Sequence, residues 1–442
     1  MTELKSWFAE RDVHSVECLV PDFQGVSKGK LVSVRDFLAG QIRLPEAIFG
    51  QDVTGGWCED EDLFDVADVD MRLVPEPHTL AEQPWAERGA QCICDCETLE
   101  GVPLAIAPRT LLKNVVEKFH ALGLDPVVAQ EAEFYLVSKN EDPKETIRAP
   151  QGKNGRRHTA ARSFQTEMLF EFAPFLERMK SYAAAQGVEM TALVQEMGAG
   201  QLEVNFRHGA ALDRADDMFK FKRLVRQAAY DEGYYATFLA KPMTGAPGSA
   251  MHLHQSLIHI DGGANAFVAA DGSPNQTFHA FIAGMQKYAN ALMPIFAPSV
   301  NSYRRFLDAD SCPTNTHWGY DNRTTGFRVP KASPEGTRVE NRVPGADTNP
   351  YLAIAASLAS GYLGIQEKLE PTDPVSESAW DLDPDLPDSL GVAVAGILAS
   401  DEVADVLGKR FVGIYADIKR RENEAYQRTV TAWEREHLML TA

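Results

Sequence analysis

The chain has 442 residues, 44% of them apolar and 24% charged, an ordinary globular composition that is too long for one usual core, so one small and one large domain are expected. Its formal net charge of −20 argues against nucleic acid or an anionic membrane as partner and obliges any anionic substrate to meet local arginines or metal ions. There is no run of about 18 apolar residues, and the opening MTELKSWFAERDV lacks the cationic head and apolar centre of a signal peptide, so a cytoplasmic location is expected.

In chain order, a short helix near 3–11 leads into strands SVECLVPDF and GKLVSV, and QCICDC forms the last strand of a small α+β domain over residues 1–104. Cys92, Cys94 and Cys96 alternate onto one face of that strand. No CxxC pair or nearby His completes a tetrahedral zinc site, so they read as buried reduced thiols. After the linker EGVPLAIAPRT, the segment RTLLKNVVEKFHAL carries apolar residues at 111, 112, 115, 116, 119 and 122 and stops at Gly123, an amphipathic helix that opens the large domain, residues 105–442. The strand VAQEAEFYLVS follows. Strands QLEVNF, YYATFLAKP, AMHLHQSL, TGFRVP and TRVENRV then alternate with helices near 216–231, 275–295 and 350–367. Residues 139–160 and 258–276 are polar, Gly-rich loops, and the last fifty residues are mostly helical.

Strand side chains alternate between faces, and here the alternation sorts chemistry from packing. Glu131 and Glu133 share a face, as do Glu203 with Gln201 and Asn205, His252 with His254 and Ser256, and Glu340 with Arg338 and Arg342; Arg328 lies opposite Phe327 and Val329. Glu196 stands at the end of VQEMGAG. A plain solvated face of an antiparallel sheet is the alternative, but such a face would carry lysines, which are almost absent here. Five carboxylates and a histidine suit a hard divalent cation, Mg²⁺ or Mn²⁺, two or three per site, and arginines on the same surface call for an anion. Metals and arginines around phosphate are the parts of phosphoryl transfer. The nucleotide has no Walker loop, since GVSKGKL is one residue short and has Leu31 where Ser or Thr is needed, and no GxGxxG opens a helix.

The ordered set EAEFYL, GQLEVNF, GSAMHLHQSL, NSYRRF, NRTTGFRVP and RVENRVPGADTNPYL resembles the glutamine synthetase family, type I branch, over nearly the whole chain. The resemblance implies an α+β fold, with a small β-grasp-like N-terminal domain and a large catalytic domain built on a curved, mainly antiparallel sheet. It implies a homo-oligomer, a ring of six subunits or two such rings stacked, with each site between one large domain and its neighbour's small one. It also implies ATP as co-substrate and L-glutamate as acyl donor through a γ-glutamyl phosphate. By the same resemblance Glu133, Glu196 and Glu203 hold one metal, and Glu131, His252 and Glu340 the nucleotide-side metal. His254 and Ser256 contact nucleotide, Gly248, Arg305 and Arg342 glutamate, and Arg323, Arg328 and Arg338 phosphate.

The sequence departs from the family where ammonium binds. The ammonium-site aspartate falls on Gly50 of FGQDVTGGW and the flap glutamate on Ser311; the glutamate-loop asparagine becomes Pro247, a phosphate-side lysine falls near Glu335, and the usual adenylylation tyrosine is missing. Losing both acids is expected to leave room for a larger, organic primary amine, as in the glutamate–putrescine ligase branch. Asp52, Asp308 and Asp310 could take the amine's proton, although turn or cap roles suit aspartate as well. Trp57 and Trp318 could shape the amine pocket, with core packing the expected role. A true glutamine synthetase, or a catalytically silent assembly protein, are the alternatives.

Overall fold

The computed structural model describes residues 2–58, 63–64, 67–159, 163–307 and 312–441, so Asp308, Asp310 and Ser311 lie outside the described residues. Strands β1 (Ser15–Pro21), β2 (Ser27–Ser33), β3 (Ile42–Pro45), β4 (Asp70–Pro75), β5 (Ala81–Glu82) and β6 (Gly89–Glu97) form one sheet in the order β2-β1-β6-β4-β3, with β5 on β6. Of its pairs, β1–β6 is parallel and the rest antiparallel. Helices α1 (Thr2–Glu10) and α2 (Val34–Ala39) flank it. Cys92, Cys94 and Cys96 point into its core as free thiols, and burial pushes Cys92 up to about 12, which keeps it unreactive.

The second sheet has nine strands, β7 (Leu124–Ser138), β8 (Met190–Gln195), β9 (Gln201–Phe206), β10 (Gly209–Ala210), β11 (Tyr234–Thr237), β12 (Met251–His259), β13 (Trp318–Tyr320), β14 (Phe327–Val329) and β15 (Val339–Asn341). Its order is β13-β14-β15-β12-β7-β9-β8, with β10 and β11 also on β7, and only β13–β14 is parallel. The expected mainly antiparallel sheet is therefore present. Helices α3 (Pro108–His120), α4 (Thr166–Leu169), α5 (Ala173–Ala185), α6 (Ala211–Asp231), α7 (Gln276–Phe296) and α8 (Pro350–Glu367) are followed by α9 (Leu390–Leu398), α10 (Asp401–Leu407), α11 (Lys409–Gln427) and α12 (Ala432–His437).

The back of β7 is apolar because its even-numbered residues Ala132, Phe134 and Leu136 are all buried there. Phe134 meets Phe175 of α5 at 6.3 Å and Phe221 of α6 at 6.2 Å between ring centroids, and Phe206 of β9 meets Phe221 at 4.8 Å. Helix α8 begins after a proline-assisted cap, where the Asn349 side chain accepts from the N–H groups of Tyr351 and Leu352. It also locks the sheet from behind, since Ser357 Oγ accepts from Gln255 of β12 and Asn341 of β15.

A buried ionic knot joins the two sheets. Arg109 of α3 donates to Asp95 of β6 at 2.5 Å and to both oxygens of Asp216 of α6 at 3.0 Å, while Tyr351 donates to Asp216 at 2.6 Å. His78, from the segment between β4 and β5, lies 2.8 Å from Glu76 and 3.7 Å from Asp216. Removing one partner of such a buried set costs about 3–5 kcal/mol, because the charge left behind stays desolvated.

Candidate active site

Register assembles the site. Glu131 of β7 pairs with His252 of β12 on one side and Asn205 of β9 on the other, and Glu133 pairs with Glu203. His254 pairs with Glu340 of β15, and Glu340 with Arg328 of β14. Glu196 follows β8 and is turned in by the bond from its N–H to Gln201 O, while its carboxylate accepts from Met197 N at 3.2 Å. The acids and imidazoles taken from five separated segments thus meet on one face of one sheet.

Two electrostatic regimes share that face. Around Glu340 the acids are compensated. Burial alone would raise this carboxyl, but Arg342, His252 and His254 pull it down to about 2, and its oxygens accept from Arg342 at 2.6 Å and Arg328 at 2.7 Å. His252 Nδ1 lies 3.4 Å from Glu131 and 3.5 Å from Glu340. Burial, then Arg342, lowers the His252 ring to about 4, so it is a neutral imidazole beside two carboxylates. Glu131 is buried too, yet His252 and His254 beside it hold it well below the usual range.

On the other side the acids lack compensation. Burial, reinforced by Glu196, raises Glu133 to about 7; burial, reinforced by Glu131, Glu133 and Glu196, raises Glu203 to about 8; burial raises Glu196 as well. Buried carboxylates that repel one another are the donor set a divalent cation answers. Ligand atoms of Glu131, Glu203 and His252 lie within 4.8 Å of one another, as do those of Glu131, His254 and Glu340. The residues fit a divalent cation, but the grouping differs from the expected one. Glu203 clusters with Glu131 and His252 rather than with Glu133 and Glu196, because β7 places Glu131 between β9 and β12.

His254 is set apart by Arg338, whose Nε lies 3.2 Å from His254 Nδ1. A guanidinium can only donate, so Nδ1 carries the lone pair and the ring proton sits on Nε2. That Nε2 is buried without a hydrogen-bond partner, although Glu131 Oε1 is 3.1 Å away at a poor angle. In this tautomer Nε2 is a donor; to join Glu131 and Glu340 around a cation the ring would give up that proton. Beside it opens a cavity of about 990 Å³ lined by His254, Ser256, Glu335 and Arg338 together with Glu131 and His208.

Arg305 is buried and donates to Val343 O at 2.7 Å and Arg342 O at 2.9 Å. A Cβ at Gly248 would come within 2.6 Å of Arg305 Cγ, so only glycine lets that backbone approach the arginine. Gln201, which shares the face of Glu203 in QLEVNF but was not singled out as a site residue, ties this corner together. Its Nε2 donates to Glu133 at 3.1 Å and to Gly248 O at 2.9 Å. Tyr135 donates to Pro247 O at 2.8 Å. Asp321 was also missed; it accepts from Arg328 at 3.1 Å, and only the fold brings it there. Arg323 bears electrostatically on Glu196 and makes no hydrogen bond or ion pair among the described residues.

The FGQDVTGGW segment corrects the expectations for Gly50 and Trp57. Gly50 does not open room, since a Cβ there would lie 2.8 Å from Phe64 and the ring occupies the space. Asp52 is a turn residue, and its Oδ1 accepts from Thr54 N, Thr54 Oγ1 and Gly56 N. Slight burial would raise it, but the Thr54 and Gly56 bonds lower it overall, so it is a weak base better suited to holding a cation than to taking a proton. Trp318 packs in the core as expected and donates to Thr372 O, whereas Trp57 is 47% exposed because the Gln51–Trp57 bridge carries it on a loop.

This is a sheet-borne site of carboxylates and arginines fitted to a polyanionic substrate with divalent cations. The glutamine synthetase catalytic-domain family matches residues 105–438, and the chain belongs to that family. It is 33% identical to the glutamate–isopropylamine ligase of a Pseudomonas species, across 98% of this chain and 96% of that one. It is 31% identical to the gamma-glutamylputrescine synthetase PuuA of Escherichia coli K12 across 97% and 92%, and 34% identical to the glutamine synthetase of Halobacterium salinarum across 85% and 84%. The solved structure of GmaS without ligand superposes with a TM-score of 0.84 at 27% identity, covering 99% of this chain and 100% of that one. The protein has the glutamine synthetase fold and is an ATP-dependent glutamate ligase that forms a carbon–nitrogen bond. Among the described residues no helix is long and apolar enough to cross a membrane.

Proposed function

We propose that the acyl acceptor is an organic primary amine, so that the protein is a glutamate–amine ligase working through γ-glutamyl phosphate. The observation that carries this reading is Gly50 packed against Phe64, an apolar contact at the position where the resemblance places the ammonium-binding aspartate. The half-exposed Trp57 on the same loop adds apolar surface. In the ring that the resemblance implies, this loop serves the neighbour's site, with residues 1–104 as the small domain and 105–442 as the large one.

Arg305, Arg342 and Gly248 hold the glutamate, and its γ-carboxylate oxygen attacks the terminal phosphorus of ATP, which releases ADP. His254 Nε2–H, Arg323, Arg328 and Arg338 donate to the phosphate oxygens, where charge is redistributed during transfer. Mg²⁺ or Mn²⁺, two or three ions, would be held among Glu131, Glu203, His252 and Glu340, with Glu133 and Glu196 beside them, and would supply the charge neutralisation that phosphate and carboxylate need to approach. The amine nitrogen then attacks the acyl carbon and inorganic phosphate leaves. Asp52 holds the amine as its cation before it is deprotonated, because alkylamines titrate near lysine, at about 10.4.

Phosphate release compared across ammonium, putrescine, isopropylamine and other alkylamines, and aromatic amines, tests the proposal. An organic amine should give the highest kcat/KM. Ammonium as the best substrate would overturn it and make the protein a glutamine synthetase, the reading favoured by the Halobacterium relative.

A further inference from the structure

The loop that carries Asp52 and Trp57 has an anchored stem and an exposed tip, and the anchor comes from the far end of the chain. Val53 N donates to Oε1 of Glu422 in α11 at 3.2 Å, and Gln24 Nε2 donates to the same oxygen at 3.3 Å. The second Glu422 oxygen accepts from Lys419 Nζ at 2.9 Å. Glu422 is 7% exposed and Lys419 is more deeply buried still. The stem is gripped from its other side too, since Gln24 Nε2 donates to Gln51 O at 3.2 Å and Lys28 Nζ to Gln51 Oε1 at 2.7 Å. One helical turn of α11 therefore presents a desolvated carboxylate whose donors come from three places: the loop backbone, the turn after β1 and its own helix.

A carboxylate removed from water is costly unless its acceptor sites are filled, so this one enforces the position of the groups that fill it. Beyond Val53 the tip is held by the loop's own bonds, from Thr54 and Gly56 to Asp52 and through the Gln51–Trp57 bridge. Val53 itself is 66% exposed and Trp57 is 47% exposed, two large apolar side chains on a rigid stem. Arg421, the residue before Glu422, bears electrostatically on Asp52 from the same helix. A loop with this division of labour presents its tip at a fixed height to something outside its own core.

We infer that Glu422 is a positioning residue for amine selection, setting the height and orientation of the Asp52–Trp57 loop from the C-terminal helix. The inference rests on the proposed amine-ligase reading, in which that loop meets the amine. It predicts a specific kinetic signature. The amine's KM depends on Glu422, whereas ATP and glutamate, held on the nine-stranded sheet, do not sense it.

The test uses the full-length enzyme with its preferred amine. Glu422→Gln keeps the shape but loses the charge that holds Val53 N–H and Lys419, and a charge-assisted bond of this kind is worth about tenfold or more in KM. The expected result is a rise of that size in amine KM, with kcat changed less than about threefold and the KM values for ATP and glutamate unchanged. Gln24→Leu removes one donor and leaves the Lys419 pair intact, so it keeps the test available should Glu422→Gln fail to fold; a smaller rise in amine KM alone is expected. Unchanged amine KM in both variants, or a parallel loss in all three substrates, overturns the inference. Trp57→Ala separates the two levels of the argument. If it shifts amine KM while the Glu422 and Gln24 variants do not, only the positioning role fails. If Trp57→Ala leaves amine KM untouched, the loop does not meet the amine and the reading beneath the inference fails with it.

Discussion

Arg338 Nε lies 3.2 Å from Nδ1 of His254, and the arginine must be the donor. This contact sets the tautomer of His254 alone, whereas His252, on the same face of the strand, answers to Glu131 and Glu340. If Arg338 acts by fixing that tautomer, Arg338→Met and His254→Ala should each raise the KM for ATP about tenfold, and the double variant should be little worse than either single one. Steady-state kinetics at saturating glutamate and amine provide the check. Fully multiplicative losses would mean that the two side chains act independently.

Glu340 accepts from two arginines and also stands 3.5 Å from His252 Nδ1. Glu340→Ala should abolish turnover and weaken Mn²⁺ binding by more than the ~10–100-fold typical of removing a residue behind the ligands. The rise in Tm on adding Mn²⁺, titrated for wild type and variant, reads this without activity. An undiminished rise would remove Glu340 from the metal set.

Gly50 and Phe64 make a prediction about packing. Gly50→Asp should destabilise the protein by about 1–3 kcal/mol through overpacking. Phe64→Ala in the same chain should recover part of that loss and raise ammonium use relative to bulky amines. Chemical denaturation and the amine panel measure the two effects. A fully stable Gly50→Asp single variant would show that the ring yields freely.

His78 ties the segment between the first-sheet strands to α6, and its pKa is raised from 6.5, chiefly by Asp216, which burial opposes and Glu76 reinforces. A raised folded-state value means the folded form binds the proton more tightly, so this contribution is complete below about pH 6.5 and fades as pH climbs through the raised value. The Tm gap between wild type and His78→Gln should therefore be widest near pH 6 and shrink towards pH 8.5. A gap constant over that range would mean the histidine acts without its charge. Because the ring is half exposed, solvent screening keeps the effect small.

Much of this was legible in the residues, and what was not has physical causes. The bounds of α8 coincide with the predicted 350–367, because Asn349, Pro350 and an unbroken apolar run declare them locally. The face shared by Glu131 and Glu133 followed from alternation alone. Helix α5 was missed because Pro174 reads as a breaker, whereas here it occupies the first turn, where a missing N–H costs nothing. Strand β8 was missed because MTALVQ lies at the sheet edge and alternates poorly between buried and exposed positions. The grouping of Glu203 with His252 depends on which strands flank β7, and the closure of Gly50 by Phe64 on a contact across 14 residues; neither is written in local pattern.

The clasp made by Arg109 also bears on how freely this catalytic scaffold can be exchanged between proteins. A gene fragment beginning at α3 would keep Arg109 and Asp216 but lose Asp95, stripping a salt bridge from a guanidinium that is all but sealed from solvent. Chimeras that trade the N-terminal portion among relatives should therefore succeed only when an acid equivalent to Asp95 travels with it, and fragments cut at that seam should be recovered chiefly as inclusion bodies.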